Sequence, residues 1–272
     1  MRHLKPALAL GVLCILLCII AQNFAQSGNE PDDNSSSLQV LFIGNSYTSQ
    51  VRSQITAMFG ASKYSDAKLE FIAPGGCTLA RHLQNGKTVE KIAQQEWDFV
   101  VLQEQSQTPA VFREKFIDSA KALDDLIKRT GAKTLFYQTW GRRDGDKQNP
   151  ELLATYSAMQ KALSDAYFSA TEQCSAQIAP VGDAWAEIRS SNSKLGEELY
   201  ARDGSHPSRK GAYLAASVMF AVITSEHPMK VPYNGGLEEE EAKMICSIAF
   251  EAVGHSRKRL EEEVEASSGA IK

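Results

Sequence analysis

The chain has 272 residues, a formal net charge of −4 and a hydrophobic share of 43%. That is enough apolar sequence for one sizeable α/β core, and no second domain is required. Its mild acidity, with a pI near 5.8, offers no basic footprint and argues against nucleic acid as the main partner.

Residues 1–25 differ from everything after them. Arg2, His3 and Lys5 make a short basic start, an uncharged run from Ala7 to Ile20 follows, and small residues stand at Ala21 and Ala25. This pattern resembles a secretory signal peptide and predicts a secreted or periplasmic protein. The apolar run is short for a membrane span, and an uncleaved N-terminal anchor is the alternative. Residues 26–37, rich in Ser, Asn, Asp and Gly, are expected to be a flexible leader. Residues 38–260 are expected to form the globular domain and 261–272 a frayed tail. Two of the five cysteines lie in the signal-like segment, which leaves Cys77, Cys174 and Cys246. Three widely spaced cysteines form neither a disulfide framework nor a zinc pattern, so they are expected as small buried residues.

The first element is an apolar run, Leu38 to Ile43, that stops at Gly44-Asn45-Ser46. It reads as a strand buried on both faces. The serine that follows reads equally as a helix cap or as a hydroxyl set at the strand's C-terminal edge, where open α/β sheets place their chemistry. A helix is expected to end at Gly60, and a second strand covers Lys68 to Ala73. Pro74-Gly75-Gly76-Cys77-Thr78 then makes a turn at which backbone can approach a ligand closely. Helical spacing returns from Leu79 to Gln95. Asp98 to Leu102 is a third strand, ending in Gln103-Glu104-Gln105-Ser106. Pro109 opens a helix to Arg129, and Lys133 to Thr139 is a fourth strand ending at Trp140-Gly141 and a charged loop. Pro150 starts a helix to Gln173, Ser175 to Val181 is a fifth strand, and a helix begins near Asp183. A loop carries Asp203-Gly204-Ser205-His206-Pro207 ahead of an apolar helix, Ser208 to Thr224. An acidic-capped amphipathic helix follows Leu237. Repeated β-α units without hairpin signals predict a five-stranded parallel sheet with helices on both faces.

In such a sheet Ser46, Gly76 and the Gln103–Gln105 cluster share one edge although they are distant in sequence. Acyl transfer needs a nucleophile, a base, an orienter for the base and fixed donors for an oxyanion. Ser46 is the candidate nucleophile, His206 the candidate base, and Asp203 can hold the imidazole in the tautomer that accepts the serine proton. A side-chain amide at Gln105 can aim two donors at a carbonyl oxygen. No Gly-x-Ser-x-Gly elbow surrounds Ser46, and there is neither a dinucleotide fingerprint nor a Walker motif. A thiol nucleophile at Cys77 with His82 is the weaker competing reading.

These features, in this order, resemble the SGNH (GDSL-type) hydrolase superfamily, whose blocks are Gly-Asp-Ser, a Gly, Gly-x-Asn and Asp-x-x-His. The resemblance spans Leu38 to Ser225, and Gly-Asn-Ser-Tyr-Thr with Val-Leu-Gln-Glu-Gln-Ser is similar to a secreted bacterial subgroup. It implies a flavodoxin-like α/β/α sandwich and a triad of Ser46, His206 and Asp203. It also implies an oxyanion hole from the Ser46 and Gly76 amides with Gln105, and no metal or organic cofactor. Asn45 stands where the family has Asp, and Gln105, or Gln103 in its place, stands where it has the Asn donor. The implied activity is hydrolysis of carboxylic esters through an acyl-enzyme, with a small ester or an O-acetylated extracellular carbohydrate as substrate. Asn45, Gln103, Trp140 and Arg142 are expected to contact that substrate; for Trp140 and Arg142 the alternative is an ordinary exposed loop. No nucleic acid and no membrane contact beyond the signal segment are expected. A glycan-binding module that keeps the fold without turnover is the alternative, motivated by Asn45 and Gln105.

Overall fold

In the computed structural model, which describes residues 37–94 and 96–269, the apolar runs pair as one sheet. The strands are β1 (Gln39–Ile43), β2 (Lys68–Ile72), β3 (Phe99–Leu102), β4 (Lys133–Tyr137) and β5 (Gln177–Ala179). They lie in the order β2-β1-β3-β4-β5, and every neighbouring pair is parallel. This is the flavodoxin-like order, in which ligands bind outside the carboxyl ends of the strands. Register makes that edge usable: Ile43 lies opposite both Ile72 and Leu102. Strands β2, β1 and β3 therefore end level, and the segments after them emerge side by side.

Alternation along each strand divides the core in two. Val40, Phe42, Val101, Leu135 and Tyr137 face one layer, built from α1 (Ser46–Gly60) and the later helices described below. Leu41, Ile43, Val100, Leu102 and Phe136 face the other. That second layer contains α2 (Leu79–Gln84), α3 (Gly86–Ala93), α4 (Thr108–Val111), α5 (Arg113–Lys128), α6 (Pro150–Leu153) and α7 (Tyr156–Cys174). The first layer is completed by α8 (Val181–Ser191), α9 (Ser193–Glu198), α10 (Arg209–Thr224) and α11 (Glu239–Gly269). Buried on both faces, the strands have no need of polar alternation, which explains their continuous apolar spelling.

Three helices expected as single pieces are each broken by local chemistry. The Leu79–Gln95 run divides at Asn85, whose side chain accepts from Lys87 N–H and starts α3. The Pro109 helix divides at Phe112, which takes φ −126° and ψ 53°. The Pro150 helix divides at Thr155, whose hydroxyl caps α7 by accepting from Ala158 N–H. Helix α11 runs to Gly269, and Arg259 pairs with Glu263 at 3.0 Å while lying 3.8 Å from the Phe168 ring centroid. Cys77, Cys174 and Cys246 are buried and free. The signal-like segment and most of the leader lie outside the described residues.

Phe42 is fully buried in β1 and stacks on Phe71 with ring centroids 4.6 Å apart. Phe42→Ala is expected to lower the unfolding free energy by about 3–5 kcal/mol, through lost burial plus the cavity left behind. A urea titration checks this, and an unchanged midpoint would refute the central placement of β1.

Candidate active site

The sequence leaves open whether Ser46 caps a helix or presents a free hydroxyl. Asn45 is the N-cap of α1: its Oδ1 accepts from Tyr47 N–H at 3.2 Å. Ser46 is the first helical residue, so its hydroxyl is not spent on the helix and its N–H is one of the donors a helix start leaves without an intrahelical partner. The Ser46 Oγ lies 2.9 Å from His206 Nε2, and His206 Nδ1 lies 2.6 Å from Asp203 Oδ2. The contact with the carboxylate assigns the proton to Nδ1 and leaves Nε2 as the acceptor for the serine hydroxyl.

Asp203 is held by its own loop. Its Oδ1 accepts from the amides of Ser205 at 2.9 Å and His206 at 3.0 Å. Partial burial pushes the carboxyl up, but the hydrogen bonds from the imidazole and the two amides outweigh it and hold it at about 2. Asp203 therefore stays ionised at any ordinary pH and can stabilise an imidazolium. The loop is closed at its base by an antiparallel bridge between Tyr200 and Pro207 and by Ala201 N–H to His206 O at 2.8 Å. Trp140 Nε1 donates to Ser205 O at 3.0 Å, and Arg143 N–H donates to Gly204 O at 2.8 Å.

On the other side of Ser46, Pro74 to Cys77 form a turn closed by Cys77 N–H to Pro74 O at 3.2 Å. Gly76 sits at φ 65°, with open space where a Cβ would be; it is the backbone conformation, not room, that calls for glycine. The Gly76 N–H makes no hydrogen bond among the described residues. Asn45 reaches across to this turn, its Nδ2 donating to Cys77 O at 3.0 Å. An aspartate could cap α1 but could not make that second bond. The departure from the family pattern thus has a structural use: one amide ties the serine turn to the glycine turn.

The Gln105 Oε1 accepts from Gln107 N–H, Thr108 N–H and Thr108 Oγ1 at 2.9–3.2 Å, which fixes the plane of its amide. Its Nε2 makes no hydrogen bond among the described residues, so that group remains available as a donor. Gln103 does not. Its side chain is fully buried, its Oε1 accepts from Asn45 N–H at 3.0 Å and Thr48 Oγ1 at 2.8 Å, and its Nε2 donates to Glu104 O. A Cβ on Gly44 would lie 2.6 Å from that Oε1, so glycine is needed there for the close approach.

Three of the four expected substrate contacts are corrected by burial. Asn45 is 2% exposed, while Gln103 and Trp140 are wholly enclosed, and their polar atoms are committed internally. Trp140 is no exposed sugar platform; it is sandwiched between Tyr47, at 4.7 Å, and Trp185, at 4.1 Å. Arg142 keeps some surface but is anchored, with Nη1 at 2.7 Å from Asp146 and Nη2 at 3.3 Å from Ser106 Oγ. The charged loop after β4 is ordered around Asp146, a buried carboxylate that also accepts from Gln107 and Asn149. Cys77 and His82 do not pair. The imidazole Nε2 lies 2.7 Å from Gly44 O and Nδ1 lies 3.3 Å from Thr88 Oγ1, and burial keeps the Cys77 thiol protonated by raising its pKa.

Sequence reading gave His82 only the role of a partner to Cys77 and gave Glu104 no role of its own. His82 props the carbonyl of Gly44 from beneath, and burial lowers its pKa, so the ring is neutral. Glu104, 1% exposed, accepts from Leu79 N–H at 3.2 Å and Gln105 N–H at 2.6 Å. A lone carboxylate two residues after an apolar strand was the available signal. Burial raises the Glu104 carboxyl to about 7. Between pH 4.5 and 7 the folded chain then holds a proton that the unfolded chain has lost, so this group's contribution to stability falls as pH rises through that window. In urea titrations, wild type should lose on the order of 3 kcal/mol more than Glu104→Gln between pH 5 and pH 8. Equal losses in the two proteins would show that the carboxyl is not perturbed.

No protein-family model and no curated protein sequence matches the chain. Solved structures do. A structure from Bacteroides uniformis, described as a DUF4886 family protein, is 22% identical, with 80% of this chain and 95% of that chain covered and a TM-score of 0.66. An acetyl xylan esterase from Geobacillus stearothermophilus is 18% identical, with 69% and 95% covered and a TM-score of 0.50; both likenesses bear on the fold. A protein from Slackia heliotrinireducens assigned to the SGNH hydrolases is 31% identical, with 68% of this chain and 97% of that chain covered and a TM-score of 0.59. With that identity over nearly all of the relative, and a parallel sheet in the flavodoxin-like order, the chain belongs to the SGNH hydrolases.

Proposed function

We propose that the protein is a serine esterase in which Ser46 is the nucleophile, His206 the general base and Asp203 the residue that orients it. The observation that carries this reading is the continuous hydrogen-bonded line from Asp203 Oδ2 through both imidazole nitrogens to Ser46 Oγ, at 2.6 and 2.9 Å. Ser46 Oγ attacks the ester carbonyl as its proton passes to His206 Nε2. The carbonyl oxygen takes the electron pair and meets the amides of Ser46 and Gly76 and the Nε2 of Gln105. Collapse expels the alcohol, which takes the proton from Nε2 and leaves an acyl-Ser46. Water then repeats the sequence with His206 as base, releasing the acid and restoring the serine.

The Ser46 amide lies in the first turn of the 15-residue α1, where the helix dipole also favours developing negative charge. The longer arm of Gln105 is offset by the three contacts that fix its oxygen. The reading of an inert glycan-binding module loses its motive at Asn45, whose amide has two internal partners. For substrate we propose short acyl esters, with O-acetyl groups on extracellular carbohydrate as the natural class. The signal-like N-terminus supports export, and one structural neighbour is an acetyl xylan esterase.

Ser46→Ala is expected to abolish both p-nitrophenyl acetate hydrolysis and fluorophosphonate labelling while the fold stays intact. Gln105→Ala should lower kcat on the order of 10²-fold if its amide serves the oxyanion. Undiminished turnover in the serine variant would end the nucleophile assignment, and an unaffected Gln105→Ala would leave the oxyanion to backbone donors alone. Acetate release from acetylated xylan and pectin tests the substrate class.

A further inference from the structure

Tyr47 directly follows Ser46, yet none of the steps above uses it. Its ring is 3% exposed and meets the His206 imidazole edge-on, with centroids 5.3 Å apart and planes at 67°. Its opposite support is Trp140, stacked at 4.7 Å and nearly parallel at 5°. The phenol oxygen lies 2.7 Å from Ser205 Oγ. Ser205 is the residue between Gly204 and His206, and its backbone is already engaged at both ends: its N–H donates to Asp203 Oδ1, and its carbonyl accepts from Trp140 Nε1. The indole that backs the Tyr47 ring thus also holds the residue that the Tyr47 hydroxyl holds.

We propose that Tyr47 is a positioning residue whose hydroxyl latches the Asp203–His206 loop onto helix α1, so that the distance from Nε2 to Ser46 Oγ is set by the Tyr47–Ser205 hydrogen bond. The inference rests on the esterase reading of the same site and adds a residue that reading does not contain. The geometric argument is one of leverage. The nucleophile rides on α1, whereas the base rides on a loop 160 positions later in the chain. Asp203 is itself part of that loop, so it fixes the imidazole relative to the loop and not relative to the serine. Among the described contacts, Tyr47–Ser205 is the side-chain hydrogen bond that joins the loop's interior to α1, apart from the reacting pair itself. Burial raises the phenol pKa despite the opposing effects of Ser205, Arg142 and Ser106, so the hydroxyl keeps its proton and can serve as donor or acceptor.

The test is a double-mutant cycle with Tyr47→Phe, Ser205→Ala and the combined variant. Phe preserves the ring stack, and Ser205 lies on a partly exposed loop, so all three variants retain the fold. Each single variant should lower kcat for p-nitrophenyl acetate by about threefold to tenfold, as expected for one hydrogen bond, with KM little changed. The double variant should be no slower than the worse single variant, because both changes delete the same bond. Multiplicative losses, or singles with full kcat, would overturn the latch. A second readout does not depend on turnover: solvent exchange of the His206 Nδ1 proton, followed by NMR, should quicken in Tyr47→Phe. Wild type that neither labels with fluorophosphonate nor turns over would defeat the esterase reading alone, and exchange unchanged by Tyr47→Phe would then defeat the latch as well.

Discussion

The structure around the site depends on one exchange of duties at the start of α1. A helix start needs a side chain to accept its free amides, and a serine at that point commonly supplies it. Here Asn45 takes the cap through Oδ1, so Ser46 enters the helix with its hydroxyl unspent. The same side chain donates to Cys77 O, which holds the Gly76 turn against the serine turn. Both ends of the amide are consumed, so its plane is fixed. The serine turn and the glycine turn, which carry the two backbone donors of the proposed oxyanion hole, are thereby tied together through one residue.

The base reaches that point by a different route. The loop from Tyr200 to Pro207 is a small hairpin-like closure made by one antiparallel bridge, and it belongs to none of the five strands of the sheet. Besides its hydrogen bonds to Tyr47, Trp140 and Arg143, it is backed by aromatic packing: Tyr47, Trp140, Trp185 and Tyr200 form a continuous series of ring contacts at 4.1–5.0 Å. Such rings bury large areas and resist sliding, so they pass the rigidity of the core to a loop that the backbone alone would leave loose. This explains why Trp140 sits inside. A tryptophan spent on a sugar would be unavailable to support the loop.

The sheet was legible because burial on both faces leaves a plain mark, the unbroken apolar runs of β1, β3 and β4. Ser46, Gly76, Asp203 and His206 were legible because each stands where a strand ends or a loop tightens. The helix breaks at Asn85, Phe112 and Thr155 were not, because each depends on a cap or backbone angle that apolar periodicity does not register. Exposure at the site was misjudged for the same reason in Asn45, Gln103 and Trp140. Polar or amphipathic residues beside a cleft look like ligand contacts until their internal partners are seen. Tyr47 is hidden in the opposite way: as an apolar position of α1 it looks like core, and only the fold brings its hydroxyl to Ser205.

Two carboxylates near the site end up in opposite electrostatic conditions, and the difference follows from what surrounds each. Asp203 is half-exposed and gathers an imidazole and two amides, which favours the charged form. Glu104 is buried, has two amides and no cation among its contacts, and desolvation dominates. In the proposed mechanism a permanent charge is useful beside His206, where an imidazolium would form. It would be harmful beside an oxyanion, because a fixed negative charge at the donors would oppose the charge they are placed to receive. A Glu104 whose carboxyl is raised to about 7 can organise the amides of Leu79 and Gln105 by accepting their hydrogen bonds while carrying less than a full negative charge near neutrality. Burial is therefore compatible with catalysis at this position in a way that a solvated carboxylate would not be.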